Sequence, residues 1–155
     1  MSTENTLKRQ LADVDLRKVF TEEKLAQCQQ LFDEANEKFL QEALERTEEI
    51  DRIYQKASDE PEKASEHVRT ICTLSHQLKG RMEALGFVFC YEIADSLYRY
   101  TRAANASTHT VLMVIAQHVH ALQAALREHC ESDGGDHGKE MMEMLSVLVA
   151  KLKPH

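Results

Sequence analysis

The stretch SHQLKGRMEALG, residues 75–86, sets a glycine, Gly80, inside a run that otherwise reads as helix. A glycine in a helix interior costs about 1 kcal/mol relative to alanine, so its place on the helix surface matters. On a wheel of about 100° per residue with His76 at zero, Val68, Ile71, Leu74, Leu78, Met82 and Leu85 fill an arc from roughly 160° to 280°. His76 therefore faces away from the predicted core. Arg69, Cys72, Lys79, Gly80 and Glu83 share its stripe, with Lys79 and Gly80 as the i+3 and i+4 neighbours. A lone histidine on a wet helix face is most often without consequence. Gly80 changes that weighting, because on the exposed stripe it is not explained by close packing inside the domain. A missing side chain there lets another macromolecule bring its backbone close to the imidazole.

Outward from this helix the whole chain reads as α-helical. Five Gly and two Pro in 155 residues, with no long apolar–polar alternation, leave out the punctuation and period that strands need. A short helix is predicted through TLKRQLADVDLRKV, residues 6–19. A long one follows from about Glu22 to Lys56, with Thr21 as N-cap and Leu25, Phe32, Phe39, Leu40, Leu44, Ile50 and Ile53 as its apolar positions. Pro61 suits the first turn of the next helix, where its missing N–H is harmless. Gly86 suits the left-handed position that ends that helix. A third helix is expected from Phe87 to about Ala104, and NAST, residues 105–108, offers caps for a fourth running to about Cys130. Short connections imply antiparallel neighbours. The expected organisation is an N-terminal helical cap over 1–20, an antiparallel four-helix bundle over 21–130, a flexible loop over 131–138 (ESDGGDHG), and a C-terminal helix over 139–155. That last helix, KEMMEMLSVLVAKLK, should pack on the bundle or on a partner.

Composition narrows the functional classes. The formal net charge of −7 argues against sequence-independent nucleic-acid binding, which needs clustered basic residues. The polar N-terminus lacks the apolar run of a signal peptide, and the longest wholly apolar stretch, Val111 to Ala116, is too short to span a bilayer. A cytoplasmic protein is expected, with no membrane partner. Cys28, Cys72, Cys90 and Cys130 are dispersed without a CxxC pair and read as reduced thiols, mostly in helix packing.

The run HQLKGRMEALG resembles the His-x-x-Lys-Gly motif, with a second glycine ten residues after the histidine, of histidine-containing phosphotransfer (HPt) domains. The motif similarity covers about thirty residues, and the expected architecture extends it to roughly 22–130. The resemblance implies an HPt-like four-helix bundle that carries a phosphoryl group to and from receiver-domain aspartates in a multistep two-component phosphorelay. It implies His76 as the phosphoacceptor, Lys79 as the motif lysine acting on phosphate electrostatically, and Gly86 as the helix-ending glycine. Gly80, Arg69, Cys72, Gln77 and Glu83 would form the partner-binding face. The chain departs from the family pattern in Arg81, Met82 and Glu83, where small residues are usual, and in its third helix.

Phosphoryl transfer depends on in-line positioning and charge stabilisation more than on covalent work. Neutral imidazole is a competent nucleophile, and a phosphorylated imidazole is a good donor. No carboxylate cluster for Mg²⁺ is evident, so the metal is expected from the partner receiver, with no cofactor of the chain's own. The expected protein is a phosphocarrier rather than a stand-alone enzyme, monomeric, with a histidine kinase, hybrid in type, upstream. The alternative is a non-phosphorylated adaptor that binds a receiver or kinase through the same face, or through the methionines Met141, Met142 and Met144. A helical metal protein is disfavoured: no histidine has a glutamate three residues before it, and His118 and His120 lie about 200° apart on a helix. His118 and His129 are expected at the edge of the core face, and His109, His120 and His137 in solvent. A kinase-like core is disfavoured by the absence of a Gly-rich phosphate loop.

Overall fold

A computed structural model describes residues 21–104, 109–128 and 134–153. These residues are all-α: five helices, α1 (Glu22–Asp59), α2 (Ala64–Leu85), α3 (Val88–Ala103), α4 (His109–Arg127) and α5 (Gly135–Lys151), with a 3₁₀ turn at Pro61–Lys63 before α2. The predicted helix over 6–19, the caps at 105–108, His129 and Cys130 lie outside the described residues.

The chain divides into two compact units, Met1–Lys38 and Phe39–His155, and the division falls within α1. In the first unit the helix starts as its sequence requires. The Thr21 hydroxyl accepts a hydrogen bond from the Lys24 N–H at 3.2 Å, and Glu22 and Glu23 place negative charge in the first turn. Two of the apolar positions named for this stretch lie at the surface: Leu25 is 54% exposed and Phe32 61%. Hydrophobic spacing defines a helix face without by itself burying it.

In the second unit one continuous core draws on every helix, from Ile50 of α1 through Leu78 of α2, Leu97 of α3 and Leu122 of α4 to Leu145 of α5. Each large aliphatic side chain taken fully out of water contributes about 1.5–3 kcal/mol. Of the remaining apolar positions expected on α1, Leu40, Leu44 and Ile53 are partly buried against this core, whereas Phe39 is 38% exposed. On α2 the expected stripe holds: Val68, Ile71, Leu74, Leu78 and Met82 are buried and Leu85 is half-buried. The buried hydroxyls of Thr47, Ser75 and Thr101 donate to the carbonyls of Ala43, Ile71 and Leu97, one turn back, so none is stranded.

The turn between α2 and α3 is the joint that positions the site. Gly86 adopts φ 73°, ψ 20°. Its N–H donates to the Glu83 carbonyl at 3.1 Å and the Phe87 N–H to the Met82 carbonyl at 3.0 Å, the paired bonds of a Schellman motif. Met82 and Phe87, the two residues such a motif brings together, are both buried. With only Gly86 and Phe87 between them, α2 and α3 form a tight antiparallel hairpin, Lys79 meeting Asp95 and Cys72 meeting the backbone of Tyr98.

The C-terminal helix packs on this core through Leu145, Met141 and Leu148. It begins at Gly135, within the string expected to be a loop over 131–138. Glycine there serves entry and close approach: Gly134 and Gly135 take positive φ, and the Gly138 N–H closes the first turn on the Gly134 carbonyl at 2.9 Å. A Cβ on Gly134 would sit 3.0 Å from the Phe89 ring of α3. At the other end, the Tyr100 hydroxyl of α3 donates to the Leu152 carbonyl at 2.8 Å, so α5 runs parallel to α3.

Among the described residues no helix is long and apolar enough to cross a membrane.

Candidate functional site

The hairpin sets two polar stripes side by side. On α2 the stripe is Cys72, His76 and Lys79; on α3 it is Tyr91, Asp95, Tyr98 and Arg102. Both follow the i, i+4, i+7 spacing that keeps residues on one helix face. The core residues Ile93, Leu97 and Tyr100 of α3 point inward, which turns Asp95 and Tyr98 toward the seam with α2.

His76 is exposed on α2, and its ring lies 4.9 Å from that of Tyr98, tilted by 41°. Gly80 is exposed one turn on, and a Cβ built there meets nothing within 4 Å. The surface beside the imidazole is thus open down to the backbone. Arg69, Gln77 and Glu83 are exposed as expected, and Gly86 ends the helix. Cys72 is half-buried, with Sγ 3.9 Å from the Tyr98 carbonyl oxygen.

Lys79, on the stripe of His76 as the wheel placed it, is engaged by the neighbouring helix. Its Nζ donates to Asp95 Oδ1 at 3.0 Å, and the side chains of both residues are only 22% exposed. The ammonium also lies 5.0 Å from the Tyr98 ring centroid and 5.9 Å from that of Tyr91, a cation–π setting. Its hydrogen bond to Asp95, foremost, holds the Lys79 ammonium above its ordinary pKa, against the smaller opposing effect of burial. The other oxygen of Asp95, Oδ2, forms an ion pair with Arg99 Nε at 3.0 Å. Arg102 lies 5.9 Å from the Tyr98 ring. A wheel of α2 alone contains none of these partners. The signal for them lies in α3, where Asp95 and Arg99 stand at i, i+4 and the Tyr91, Asp95, Tyr98 and Arg102 stripe lies outside the apolar one.

His118 is a buried core histidine, rather than one at the core edge, with no accessible surface. The Val114 carbonyl, 2.8 Å from Nδ1, can only accept, so Nδ1 carries the proton and the neutral ring's Nε2 accepts from the Ser96 hydroxyl at 2.9 Å. With both nitrogens satisfied the ring can stay buried, and burial pushes its pKa down. His109, His120 and His137 are exposed.

Among the described residues no group of three or more His, Cys, Asp or Glu side chains is placed to hold a metal ion. Comparison with protein-family models, with curated proteins and with solved structures finds no match to this chain.

Proposed function

We propose that the protein is a histidine phosphotransfer carrier of HPt type. In this reading α1 to α4 form its four-helix bundle, and His76 exchanges a phosphoryl group with a receiver-domain aspartate in a two-component phosphorelay. The observation that carries the reading is an exposed imidazole opposite the buried stripe of α2, with open space at Gly80 one turn away.

In the transfer, an imidazole nitrogen of His76 donates its lone pair to the phosphorus of an aspartyl phosphate. The acyl P–O bond breaks, the aspartate leaves as carboxylate, and the imidazole gives up its other N–H proton to solvent. Gly80 keeps the approach clear for the partner's loop. Lys79 supplies positive charge to the phosphoryl oxygens. The receiver brings its own Mg²⁺ along with the aspartate, and a histidine kinase, hybrid in type, stands upstream. The carrier acts as a cytoplasmic monomer in this scheme.

The deciding experiment is transfer of radiolabelled phosphate from phosphorylated receiver domains to the wild-type protein and to His76→Gln, scored as acid-labile, base-stable label. Label on the wild type alone supports the carrier. Binding without label across a broad receiver panel, retained in His76→Gln, replaces it with an adaptor that uses the same face. Two further variants locate the parts. Lys79→Ala should slow transfer with unchanged far-UV circular dichroism, and Gly80→Leu should block receiver docking while the protein stays folded.

A further inference from the structure

We propose that Asp95 is a positioning residue that holds Lys79 while His76 is unphosphorylated and releases it to the phosphoryl group once His76 is modified. The inference rests on His76 being the phosphoacceptor, and it adds a competitor, supplied by the neighbouring helix, for the cation that the phosphoryl group needs.

Three features of the seam make this exchange workable. First, Lys79 is already engaged: its ammonium is 3.0 Å from Asp95 Oδ1, so charge reaches a phosphoryl group only if that bond yields. A phosphoryl group carries about −1.5 to −2 charge and three strong acceptor oxygens, against a single negative charge on the carboxylate. Second, Asp95 is not stranded when Lys79 leaves, because its Oδ2 keeps the ion pair with Arg99 Nε at 3.0 Å. A partly buried carboxylate left without any partner would resist the exchange. Third, the ring of Tyr98 touches both ends of the path, lying 4.9 Å from the His76 ring and 5.0 Å from the Lys79 ammonium. The flexible four-carbon stem of lysine can swing its head across that face while retaining cation–π attraction.

Linkage makes the effect reciprocal: if phosphorylation of His76 weakens the Lys79–Asp95 bond, that bond disfavours phosphorylation by the same factor. Asp95 therefore lowers the phosphorylated fraction at equilibrium and keeps the group transferable.

The test uses phosphoramidate as a small-molecule donor, so no protein partner is needed. The imidazole nitrogen attacks phosphorus, the P–N bond of the phosphoramidate breaks, and ammonia leaves, taking up the proton the imidazole loses. The ratio of phosphorylated to free His76 is read by ³¹P NMR and peptide mass spectrometry at steady state, with ammonium in fixed excess. Asp95→Asn should raise this ratio about threefold, as expected for a coupling through a partly exposed ion pair. Lys79→Gln should lower it, and adding Asp95→Asn to Lys79→Gln should change nothing further. Asp95→Ser should behave as Asp95→Asn, which guards against a folding effect peculiar to one substitution. An unchanged ratio in both Asp95 variants overturns the proposal, as does the same rise in the absence of Lys79, which would mean direct repulsion of the phosphoryl group by the carboxylate. Absence of label on His76 in every protein, while exposed His137 is labelled, overturns the phosphoacceptor reading itself.

Discussion

The ring of Tyr98 on α3 lies 4.9 Å from the ring of His76 on α2, inclined at 41°. This contact couples the exposed face of α2 to a residue whose own backbone carbonyl faces Cys72 and whose ring lies beside Lys79 and Arg102. Tilted aromatic contacts of this kind contribute about 0.5–1.5 kcal/mol beyond area burial, enough to bias the orientation of a surface imidazole. The ring protons of His76 should therefore carry a ring-current shift in NMR spectra. Tyr98→Leu should return them to the values of an unstructured histidine, while Tyr98→Phe should leave them in place. Identical spectra for Tyr98→Leu and the wild type would remove the contact.

Gly80, Gly86 and Gly134 should separate in stability. Gly80→Ala adds a Cβ that meets nothing within 4 Å in a helix interior, so it should stabilise by about 1 kcal/mol. Gly86→Ala puts a side chain at φ +73° and should destabilise by about 1–2 kcal/mol. Gly134→Ala should be worse than Gly86→Ala, since its Cβ would stand 2.9 Å from the Gly138 Cα as well as at φ +83°. Urea unfolding of the three variants gives the order directly, and a destabilised Gly80→Ala would contradict the open surface beside His76.

Stability should fall on the acid side because of His118. Burial lowers the folded-state pKa of this ring below its ordinary 6.5, only partly offset by the bond to the Val114 carbonyl. The unfolded chain then binds a proton near pH 6.5 that the folded chain still refuses, so stability drops as pH falls below about 6.5, by up to about 1.4 kcal/mol per pH unit. Above that pH the contribution is fully present. Urea midpoints measured between pH 7.5 and 5.5 should decline more steeply for the wild type than for His118→Gln, and equal slopes would count against the buried neutral ring.

The phase of α3 can be checked by a pair of truncations. Leu97 is fully buried, whereas Val88 is 52% exposed. Leu97→Ala should cost about 2–5 kcal/mol, and Val88→Ala should stay within about 0.5 kcal/mol. Comparable losses at both positions would mean that α3 is rotated, which would also move Asp95 and Tyr98 off the seam.

Much of the local structure could be read from the chain before any tertiary contact was known. The apolar spacing of Leu74, Leu78 and Met82 turned His76 and Gly80 outward, Thr21 marked the start of α1 and Gly86 the end of α2. These are properties of single helices, set by 3.6-residue periodicity, capping and the freedom of glycine at positive φ. What the sequence alone misjudged depended on neighbours. His118 is wholly buried instead of at the core edge, and Gly135 to Gly138 open a helix instead of a loop.

The chemistry beside His76 was decided at the tertiary level. Lys79 and Asp95 are separated by sixteen residues of chain, and no pattern within either helix pairs them. Their meeting follows from the register of α2 against α3, which is set by how Leu78, Met82, Ile93 and Leu97 fill one core and by the two-residue turn at Gly86 and Phe87. Periodicity along one helix tells which face is wet. Only the fit between two helices tells which side chains on those wet faces share a seam, and that fit made the lysine beside His76 a bonded cation instead of a free one.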